Sequence, residues 1–288
     1  MTSKKAGPVT GDRNRYLISS LTRGLSVLRV FDGVRGPLPL TEIARRVDLP
    51  LSTVFRIALT LEAEGFLDRT DERTFCVGPS VLRLGMAAID EMMVLRAAGA
   101  HLRSLASRTS ETVNLGILDG VKVLYLDRVR NADLVTADVE VGSVLPTERT
   151  SMGKVLLANL SPEAFAPRIP QLDFSIGGGP GAIRSLDVFL EQLHQVREQG
   201  WALQNEELAY GLRSVAAPIR NGSALVVAAI NLAVPATKWT LDELIERFLP
   251  EVLETARIIS AALQRLPPRQ FELPDGLAGG ADSPDPVA

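Results

Sequence analysis

The stretch LTEIARRVDLPLSTVFRIALTLEAEGFL, residues 40–67, constrains the fold most, because it contains two helical patterns separated by residues that neither helix can contain. Each pattern carries one apolar stripe at helical period. The stripes consist of Ile43, Ala44 and Val47, then Val54, Ile57, Ala58 and Leu61. Between them stands Asp48-Leu49-Pro50, where Asp tolerates left-handed backbone and Pro is accepted only near a helix start. We therefore predict a helix-turn-helix whose second helix begins at Pro50 or Leu51.

The second helix of this motif places polar and basic side chains on its exposed face. Ser52, Thr53, Phe55 and Arg56 lie at its N-terminal end, off the apolar stripe, and no acidic residue follows before Glu62. A helix that enters a DNA major groove needs such residues, because hydroxyls bind phosphates or bases and arginine binds guanine through two hydrogen bonds. The pattern favours a recognition helix. An ordinary helical hairpin with a mildly polar face is the alternative.

After Gly65 the chain has the pattern of a β-hairpin: FLDR, TDER and TFCV form two short apolar-alternating runs around a polar turn. A hairpin after a helix-turn-helix indicates a winged helix. Arg69 and Arg73 flank the turn, where they could reach phosphates, although neighbouring acidic residues dilute the charge. The DNA-binding residues that we predict in this domain are Thr41, Arg45, Ser52, Thr53, Phe55, Arg56, Arg69 and Arg73.

The winged helix is predicted to span residues 16–78, with a first helix ahead of the motif that ends before Gly33. The apolar stripe of that helix consists of Leu21, Leu25, Leu28 and Phe31. Residues 1–15 are polar and basic, so we expect a disordered tail. Residues 1–80 hold 12 Lys and Arg against 9 Asp and Glu, whereas the whole chain has a net charge of −3. Positive charge therefore concentrates at the end that holds the helix-turn-helix, as binding to phosphates requires.

A helical linker is predicted over residues 79–107, which are rich in Leu, Met and Ala, with a weak point at Gly99. At 1.5 Å per residue such a helix is on the order of 40 Å long. One domain cannot cover so long an apolar face, so pairing with a second chain is attractive. Two shorter core helices are the alternative.

Residues 108–265 have the mixed pattern of a second domain. Strand-like runs at TVNLGILDG, VKVLYLDRV and LVTADVEVG, divided by Asp119-Gly120 and residues 131–133, indicate a meander between residues 112 and 141. Further helices are predicted at 150–160, 186–199 and 240–263, and further strands near 201–206, 213–219 and 224–233. This mixture predicts an α+β domain, an antiparallel sheet with flanking helices. Residues 266–288, rich in Pro and Gly, are predicted to be a disordered tail.

The sequence offers no catalytic constellation. His101 and His194 are the only histidines and Cys76 the only cysteine, so we expect no metal, no cofactor, no disulfide framework and no enzymatic activity. GGGPGA at 177–182 lacks the strand and the Lys of a phosphate-binding loop, and we interpret it as a flexible connector. No apolar run is long enough for a membrane helix and no secretory signal is present, so a cytoplasmic protein is expected.

The chain resembles the isocitrate lyase regulator (IclR) family of bacterial transcription factors from Leu17 to Leu263. The segments that carry the resemblance are SLTRGLSVLRVF (20–31), the motif at 40–67, RTSMGKVLLANL (149–160), EELAYGLRSVAAPI (206–219) and VVAAINLAVP (226–235). The similarity is closest to members that control protocatechuate and β-ketoadipate catabolism. The resemblance implies an N-terminal winged helix, a C-terminal GAF-like effector-binding domain, and a dimer or dimer of dimers on double-stranded operator DNA.

The resemblance also implies an effector pocket in the C-terminal domain. Its residues are Thr150, Ser151, Met152, Gly153, Ser214 and Asn231, with Gln204 a further candidate and Arg149 directly before the TSMGK helix. Hydroxyl and amide donors beside a helix N-terminus and an arginine predict a site for a small organic acid, an aromatic or keto-carboxylate. The chain departs from the family pattern at Asp48, where Gly is common, and at Ala233, where Ser is frequent.

Two other classes of function fit the sequence less well. A GAF-like small-molecule enzyme with a vestigial winged helix would need at least two reactive cysteines, and this chain has one. A redox sensor that uses Cys76 would need surroundings that stabilise a thiolate, which Phe75 and Val77 do not suggest. A ligand-responsive DNA-binding regulator is the function that the sequence favours.

Overall fold

The computed structural model describes residues 17–130, 139–175 and 177–265, and it divides the chain into two compact units, the first ending at Asp90 and the second beginning at Glu91. The predicted tails at 1–15 and 266–288 lie outside the described residues, as does most of the third strand-like run of the meander. Within the described residues, no helix has the length and apolar character that a membrane crossing requires.

The first unit is a winged helix-turn-helix. Its elements are α1 (Ser19–Arg29), β1 (Leu38–Pro39), α2 (Leu40–Val47), α3 (Leu51–Ala63), β2 (Leu67–Asp71), β3 (Thr74–Val77) and α4 (Pro79–Glu91). The strands pair antiparallel in the order β1-β3-β2, and β2 and β3 form the wing. Ile43 of α2, Val54 of α3 and Phe75 of β3 are completely buried in one core. The apolar stripes of the motif therefore fix the helices on the wing.

The turn between α2 and α3 has the backbone that its sequence predicts. Asp48 is left-handed, with φ 51° and ψ 50°, and Leu49 donates its N–H to the Ala44 carbonyl. Asp adopts this conformation more readily than most residues, because its short side chain can form local hydrogen bonds. Pro50 then precedes the helix, which begins at Leu51, so the predicted start is confirmed.

The predicted stripe of α1 is wrong in its N-terminal half. Val27 and Phe31 are buried, whereas Leu21 is 59% exposed and Leu25 48%. The C-terminal half of α1 supplies the contacts with the core of the first unit, and the N-terminal half extends past that core. Periodicity identified an apolar face, but within the first unit only part of that face is covered.

The segment predicted as one linker is two helices, α4 and α5 (Met93–Thr109). The helix breaks at Met92, whose ψ of 88° is not helical, and not at Gly99, which lies inside α5. Ala98 and Leu102 of α5 are completely buried in the core of the second unit. This packing stabilises α5 in spite of its glycine.

The second unit is built on one six-stranded antiparallel sheet in the order β6-β5-β4-β9-β8-β7. The strands are β4 (Thr112–Asp119), β5 (Lys122–Val129), β6 (Val144–Pro146), β7 (Ala202–Asn205), β8 (Leu212–Arg220) and β9 (Val226–Pro235). The remaining helices are α6 (Ser151–Ala158), α7 (Pro162–Phe165), α8 (Leu186–Gln199), α9 (Leu241–Glu243) and α10 (Leu249–Arg265), with 3-10 turns at Thr147–Arg149 and Ala166–Gln171. The chain thus has the predicted α+β class.

Helices cover both faces of this sheet. Residues of α5 and α10 pack with Ile230 and Leu232 in one core, and residues of α6 and α8 form a second core with Ala216 and Ala229. Successive residues of a strand point to opposite faces, so Asn231, between Ile230 and Leu232, faces the α6 side. That alternation places polar side chains beside α6.

The closing helix is interrupted by a π-helical turn at Leu244–Phe248, between α9 and α10. Pro250 gives the physical reason, because it has no N–H to donate to the carbonyl four residues earlier. Thr240 and Glu243 close the start of α9 in a reciprocal capping box.

Candidate functional site

The N-terminal end of α3 is the candidate DNA interface of the first unit. Ser52 and Arg56 are exposed, Thr53 is half-buried, and Leu51 and Phe55 also face outward. The first turn of α3 contains no acidic residue. The α3 side chains predicted to touch DNA thus lie on its surface, where hydroxyls, a guanidinium and an aromatic ring can meet phosphates and base edges.

Two of the predicted DNA-binding arginines are held by carboxylates of the same unit. Arg45 donates to both oxygens of Glu42 at 2.9 and 2.8 Å, while Arg46 also donates to Glu42. Arg69 donates to both oxygens of Glu62 at 3.1 and 2.6 Å and lies over the Phe75 ring. The Arg69 pair ties the wing to α3 and neutralises Glu62, the one acidic residue of α3.

The other predicted contacts of this unit lie at exposed positions. Thr41 is at the start of α2, and Arg73 is in the wing turn, where its N–H donates to the Asp71 carboxylate. The Arg73 carbonyl accepts from the Leu40 N–H, which joins the wing turn to the start of α2. A backbone hydrogen bond therefore holds the segments that carry Thr41 and Arg73 next to each other.

The candidate ligand pocket of the second unit lies on the α6 side of the sheet. Its lining residues are Asn114, Tyr125, Arg128, Val139, Arg149, Thr150, Gln204, Leu208, Leu212, Ser214, Asn231 and Ala233. They come from β4, β5, β7, β8 and β9, from the segment before β6, from the segment before α6 and from the β7–β8 loop. A polar opening in an otherwise apolar sheet face is typical of a small-molecule site.

One row of polar side chains crosses three strands of the pocket floor. Asn114 lies opposite Asn231 on one side and Arg128 on the other. Asn114 donates from Nδ2 to Asn231 Oδ1 at 2.7 Å, and Arg128 Nη1 donates weakly to Asn114 Oδ1 at 3.4 Å. Arg128 Nε is buried without a hydrogen-bond partner among the described residues. Burial, followed by the neighbouring charge of Arg130, lowers the pKa of Arg128 below its ordinary value.

A second row crosses the next strands. Ser214 lies opposite Gln204 on β7 and Ala233 on β9. Its hydroxyl is 2.7 Å from the Ser151 hydroxyl and 3.4 Å from Gln204 Oε1. Gln204 is 1% exposed, and its Nε2 has no partner among the described residues. A buried amide donor left unpaired costs about 1–3 kcal/mol, so this row, like the first, leaves a donor that a ligand or a water would satisfy.

Five of the eight predicted effector residues line the pocket, and three lie behind it. The lining ones are Arg149, Thr150, Gln204, Ser214 and Asn231. Ser151 supports Ser214, Met152 is completely buried in the α6 core, and a Cβ on Gly153 would lie 2.3 Å from the Thr147 backbone. Met152 and Gly153 therefore let α6 pack closely, and only the start of the TSMGK segment reaches the pocket.

Sequence reasoning missed three polar residues of the pocket, Asn114, Tyr125 and Arg128. Asn114 stands between Val113 and Leu115 in β4, and a polar residue in such a run was a signal that could have identified it; Arg128, beside Asp127 in β5, gave no such signal. Tyr125 is buried, and burial raises the pKa of its phenol well above the ordinary value, so the hydroxyl keeps its proton. Their strands place these side chains in the pocket with Gln204 and Ser214.

The glycine segment 177–182, predicted as a flexible connector, is packed tightly and that interpretation is wrong. Gly179 donates its N–H to the Glu207 carbonyl at 2.9 Å, and Gly181 donates to the Glu206 carbonyl at 3.1 Å. A Cβ on Gly179 would lie 2.1 Å from the Glu206 oxygen. Glycine is needed here because two backbones approach closely, and the segment fixes the loop that carries Leu208 of the pocket.

A buried ion pair holds the same loop from the α6 side. Lys154 Nζ donates to Glu207 Oε1 at 2.6 Å and to the Leu203 carbonyl at 3.0 Å, and Lys154 is 2% exposed. Burial lowers the pKa of Lys154 and raises that of Glu207, and their mutual attraction opposes both shifts. The loop between β7 and β8 is thus fixed by a glycine segment and by an ion pair.

The space that the pocket side chains leave is about 20 Å³. A single water fills such a volume, so a ligand of several heavy atoms requires side chains or a loop to move.

Cys76, the residue of the redox alternative, is half-buried in β3 opposite Asp68. The chain has no second cysteine with which it could form an intramolecular disulfide.

Comparison with known proteins matches both units to one family. The model of the IclR helix-turn-helix domain matches residues 20–71, and the model of the bacterial transcriptional regulator IclR C-terminal domain matches residues 86–261. Among relatives, the Pca regulon regulatory protein of Pseudomonas putida is 32% identical over 256 residues, 88% of this chain and 87% of that protein. The transcriptional repressor AllR of Escherichia coli K12 is 32% identical over 85% of this chain and 90% of its own.

Solved structures share the fold. An IclR homolog from Microbacterium hydrocarbonoxydans, complexed with 4-hydroxybenzoate, has a TM-score of 0.72 and 25% identity and covers 85% of this chain and 99% of its own. A transcriptional regulator from Rhodococcus sp. RHA1 has a TM-score of 0.71 and 34% identity over 86% of this chain and 98% of its own. With both family models matched and relatives above 30% identity over most of its length, the chain belongs to the IclR family of transcriptional regulators, with a DNA-binding helix-turn-helix and a ligand-binding C-terminal domain.

Proposed function

We propose that this regulator changes its DNA binding when a small organic acid, an aromatic or keto-carboxylate, occupies the pocket of the second unit. The observation that carries the proposal is Arg128, whose buried Nε has no acceptor among the described residues. A guanidinium stays protonated in proteins, and a partly desolvated cation is stabilised strongly by an anion that binds it directly.

The surroundings of Arg128 support an anionic ligand. Arg149 lines the same pocket, and Arg130 adds positive charge close by. The charge of Glu140 acts on Arg128 in the opposite direction, but the Glu140 carboxylate itself accepts from Arg130 at 3.1 Å. The related IclR homolog was solved with 4-hydroxybenzoate, an aromatic acid, and the relative from P. putida is named for the pca regulon. Both names agree with the class of ligand that the charges favour.

Calorimetric titration of the full-length chain tests the acid proposal. We expect 4-hydroxybenzoate, protocatechuate or β-ketoadipate to bind, and neutral catechol to bind at least tenfold more weakly. Arg128→Met should abolish the preference for acids, because it removes the charge while it keeps much of the apolar stem. Ser214→Leu serves as a variant with a blocked pocket. Tight binding of catechol without any acid, or acid binding that both variants leave unchanged, contradicts the proposal.

We propose that the pocket binds its ligand without catalysing a reaction and that the protein acts in the cytoplasm, where it meets operator DNA. The predicted outcome is that the acid is recovered chemically unchanged after prolonged incubation with the protein. Conversion of the acid at a rate that depends on protein concentration would favour the enzyme alternative.

The DNA-binding form is proposed to be a dimer or a dimer of dimers. Two helices of the first unit expose apolar stripes at helical spacing: Ile18, Leu21 and Leu25 in and before α1, and Leu82, Met86 and Ile89 in α4. Leu82 is 67% exposed, and a soluble protein rarely leaves two such stripes uncovered. A second copy of the chain would cover them and would pair two recognition helices on two half-sites.

A further inference from the structure

We infer that the acid carries a second hydrogen-bond acceptor, held by Gln204, at the end opposite its carboxylate. The inference rests on the proposed function, since it takes Arg128 as the site of the carboxylate. It adds that the pocket selects acids with two polar ends and an apolar middle. Gln204 would then be the residue that separates such acids from simple monocarboxylates.

The first argument is the unused donor itself. Gln204 is 1% exposed, lines the pocket, and leaves Nε2 without a partner among the described residues. The oxygen of the Gln204 amide is the atom beside the Ser214 hydroxyl, at 3.4 Å. When Ser151 donates to Ser214, Ser214 donates to Gln204 Oε1, and Nε2 remains as the group that faces the pocket. An acceptor on the ligand would satisfy that amide in place of a water.

The second argument is the position of the two donors. Arg128 belongs to β5 and Gln204 to β7, and β4, β9 and β8 lie between these strands in the sheet. Each step between neighbouring strands is about 4.8 Å. The two donors therefore enter the pocket from opposite sides, so a ligand that satisfies both needs two separated acceptors.

The third argument is the chemistry between the donors. Asn114 and Asn231 bond each other, which reduces what they offer a ligand. Ala233, directly opposite Ser214, supplies a methyl group where a serine would supply a hydroxyl. The remaining lining residues are the mainly apolar Tyr125, Val139, Leu208 and Leu212, together with Arg149 and Thr150 at the start of the α6 segment. The middle of the ligand is thus an aromatic ring or a methylene chain.

Benzoates with one variable para group form the matched probes for this inference. The full-length chain is titrated with benzoate, 4-methylbenzoate, 4-formylbenzoate and 4-aminobenzoate, and hexanoate and adipate form the aliphatic pair. We expect 4-formylbenzoate, or adipate in the aliphatic pair, to bind roughly three- to tenfold tighter than the probe without the acceptor, the ratio that one net hydrogen bond supplies. Comparison of the benzoates with the aliphatic acids shows whether the pocket accepts an aromatic ring or a methylene chain between the two polar ends.

Gln204→Met and Gln204→Glu test the assignment to this side chain. Met has a similar length without the donor, so Gln204→Met should bring 4-formylbenzoate to the affinity of 4-methylbenzoate. Circular dichroism and thermal unfolding report whether the variant is folded. Gln204→Glu should weaken the binding of 4-formylbenzoate and of adipate further. In that variant the affinity for 4-aminobenzoate should rise.

The outcomes separate the inference from the proposed function. If every acid binds, but the acceptor gives no advantage or Gln204→Met leaves that advantage intact, the inference is wrong and the acid proposal stands. A preference of the wild-type chain for 4-aminobenzoate over 4-formylbenzoate also overturns it, because the amide would then face the pocket with its oxygen. If no acid binds at all, the proposed function itself fails.

Discussion

At the scale of single residues, the arginines of the first unit differ in what their guanidinium groups contact. Arg45 and Arg46 share Glu42, and their three hydrogen bonds lower the pKa of that carboxyl to about 2. Arg69 is paired with Glu62. Arg56 is exposed on the recognition helix, and no partner of its side chain is found among the described residues. Its charge is the one best placed to meet DNA.

We predict that Arg56→Ala weakens binding to the specific DNA site by about 1–3 kcal/mol at matched salt, the cost of losing one good base contact. The measurement is fluorescence anisotropy with a labelled duplex. Arg257→Ala, which removes the same charge from the exposed surface of α10 in the second unit, is the control and should leave the affinity nearly unchanged. Wild-type affinity in Arg56→Ala would mean that the recognition surface has been assigned to the wrong face.

Lys154→Met is predicted to destabilise the chain by about 3–5 kcal/mol, because it leaves the Glu207 carboxylate buried without its partner. Burial raises the pKa of Glu207 above its ordinary 4.5, and loss of Lys154 removes the attraction that opposes this rise. The loss of unfolding free energy caused by Lys154→Met should therefore be small below pH 4.5 and grow as the pH rises through the raised pKa of Glu207.

Denaturant unfolding over a pH series measures this effect. The double variant Lys154→Met with Glu207→Gln is the control, since it has no carboxylate at position 207 to titrate. The difference in unfolding free energy between the single and the double variant should grow with pH. A difference that is constant from pH 4 to 8 would show that Glu207 is not the titrating group.

At the scale of elements, the sequence was most informative where one local cause sets a boundary. The helix predicted at 186–199 is found as Leu186–Gln199, where Gly200 ends it in the left-handed conformation. The turn at Asp48 and the start of α3 are confirmed for the same reason. Each depends on the chemistry of one or two adjacent residues, which a single sequence displays.

The sequence was less informative where contacts distant along the chain decide the outcome. The break at Met92 and the exposure of Leu21 depend on which surfaces the rest of the chain covers. Arg128 entered the pocket only because strand register places it opposite Asn114. Likewise, the sequence around Gly179 predicts a flexible segment, whereas the close approach of Gly179 to the Glu206 backbone depends on the folded structure.

Gly179→Ala is predicted to displace the β7–β8 loop and to weaken acid binding. The added Cβ would lie 2.1 Å from the Glu206 oxygen, which belongs to the backbone and cannot rotate away. Overpacking of this kind costs about 1–3 kcal/mol. Gly222→Ala is the control, because a Cβ there meets no heavy atom within 4 Å. Thermal unfolding and calorimetry on both variants check the prediction; unchanged stability and unchanged acid affinity in Gly179→Ala would restore the flexible interpretation.

At the scale of the whole molecule, the chain joins a DNA-binding unit to a ligand-binding unit, and the proposed oligomer gives the DNA-binding unit its affinity. Residues 1–80 hold a small excess of basic over acidic side chains, 12 against 9. That excess is modest for a protein that must bind phosphates alone. Two linked recognition helices raise the effective concentration of the second contact once the first has formed.

We predict that replacing both Leu82 and Met86 with Glu lowers the mass of the particle in solution and weakens binding to the specific DNA site at least tenfold. Charges on the exposed stripe of α4 would repel a second copy of the chain. Light scattering after gel filtration measures the mass. Leu225→Glu, at a 50% exposed position of the second unit, is the control. An unchanged mass in the double variant would exclude α4 from the proposed interface.

Acid-dependent DNA binding tests the central claim most directly. The full-length chain would first select its site from a pool of randomised duplexes, and its affinity for that site would then be measured with and without 4-hydroxybenzoate, protocatechuate and β-ketoadipate. We predict that at least one acid changes the affinity of the wild-type chain several-fold, in either direction, and that Arg128→Met binds the same DNA equally well but no longer responds. DNA binding that no acid alters, or an identical response in Arg128→Met, would contradict the account.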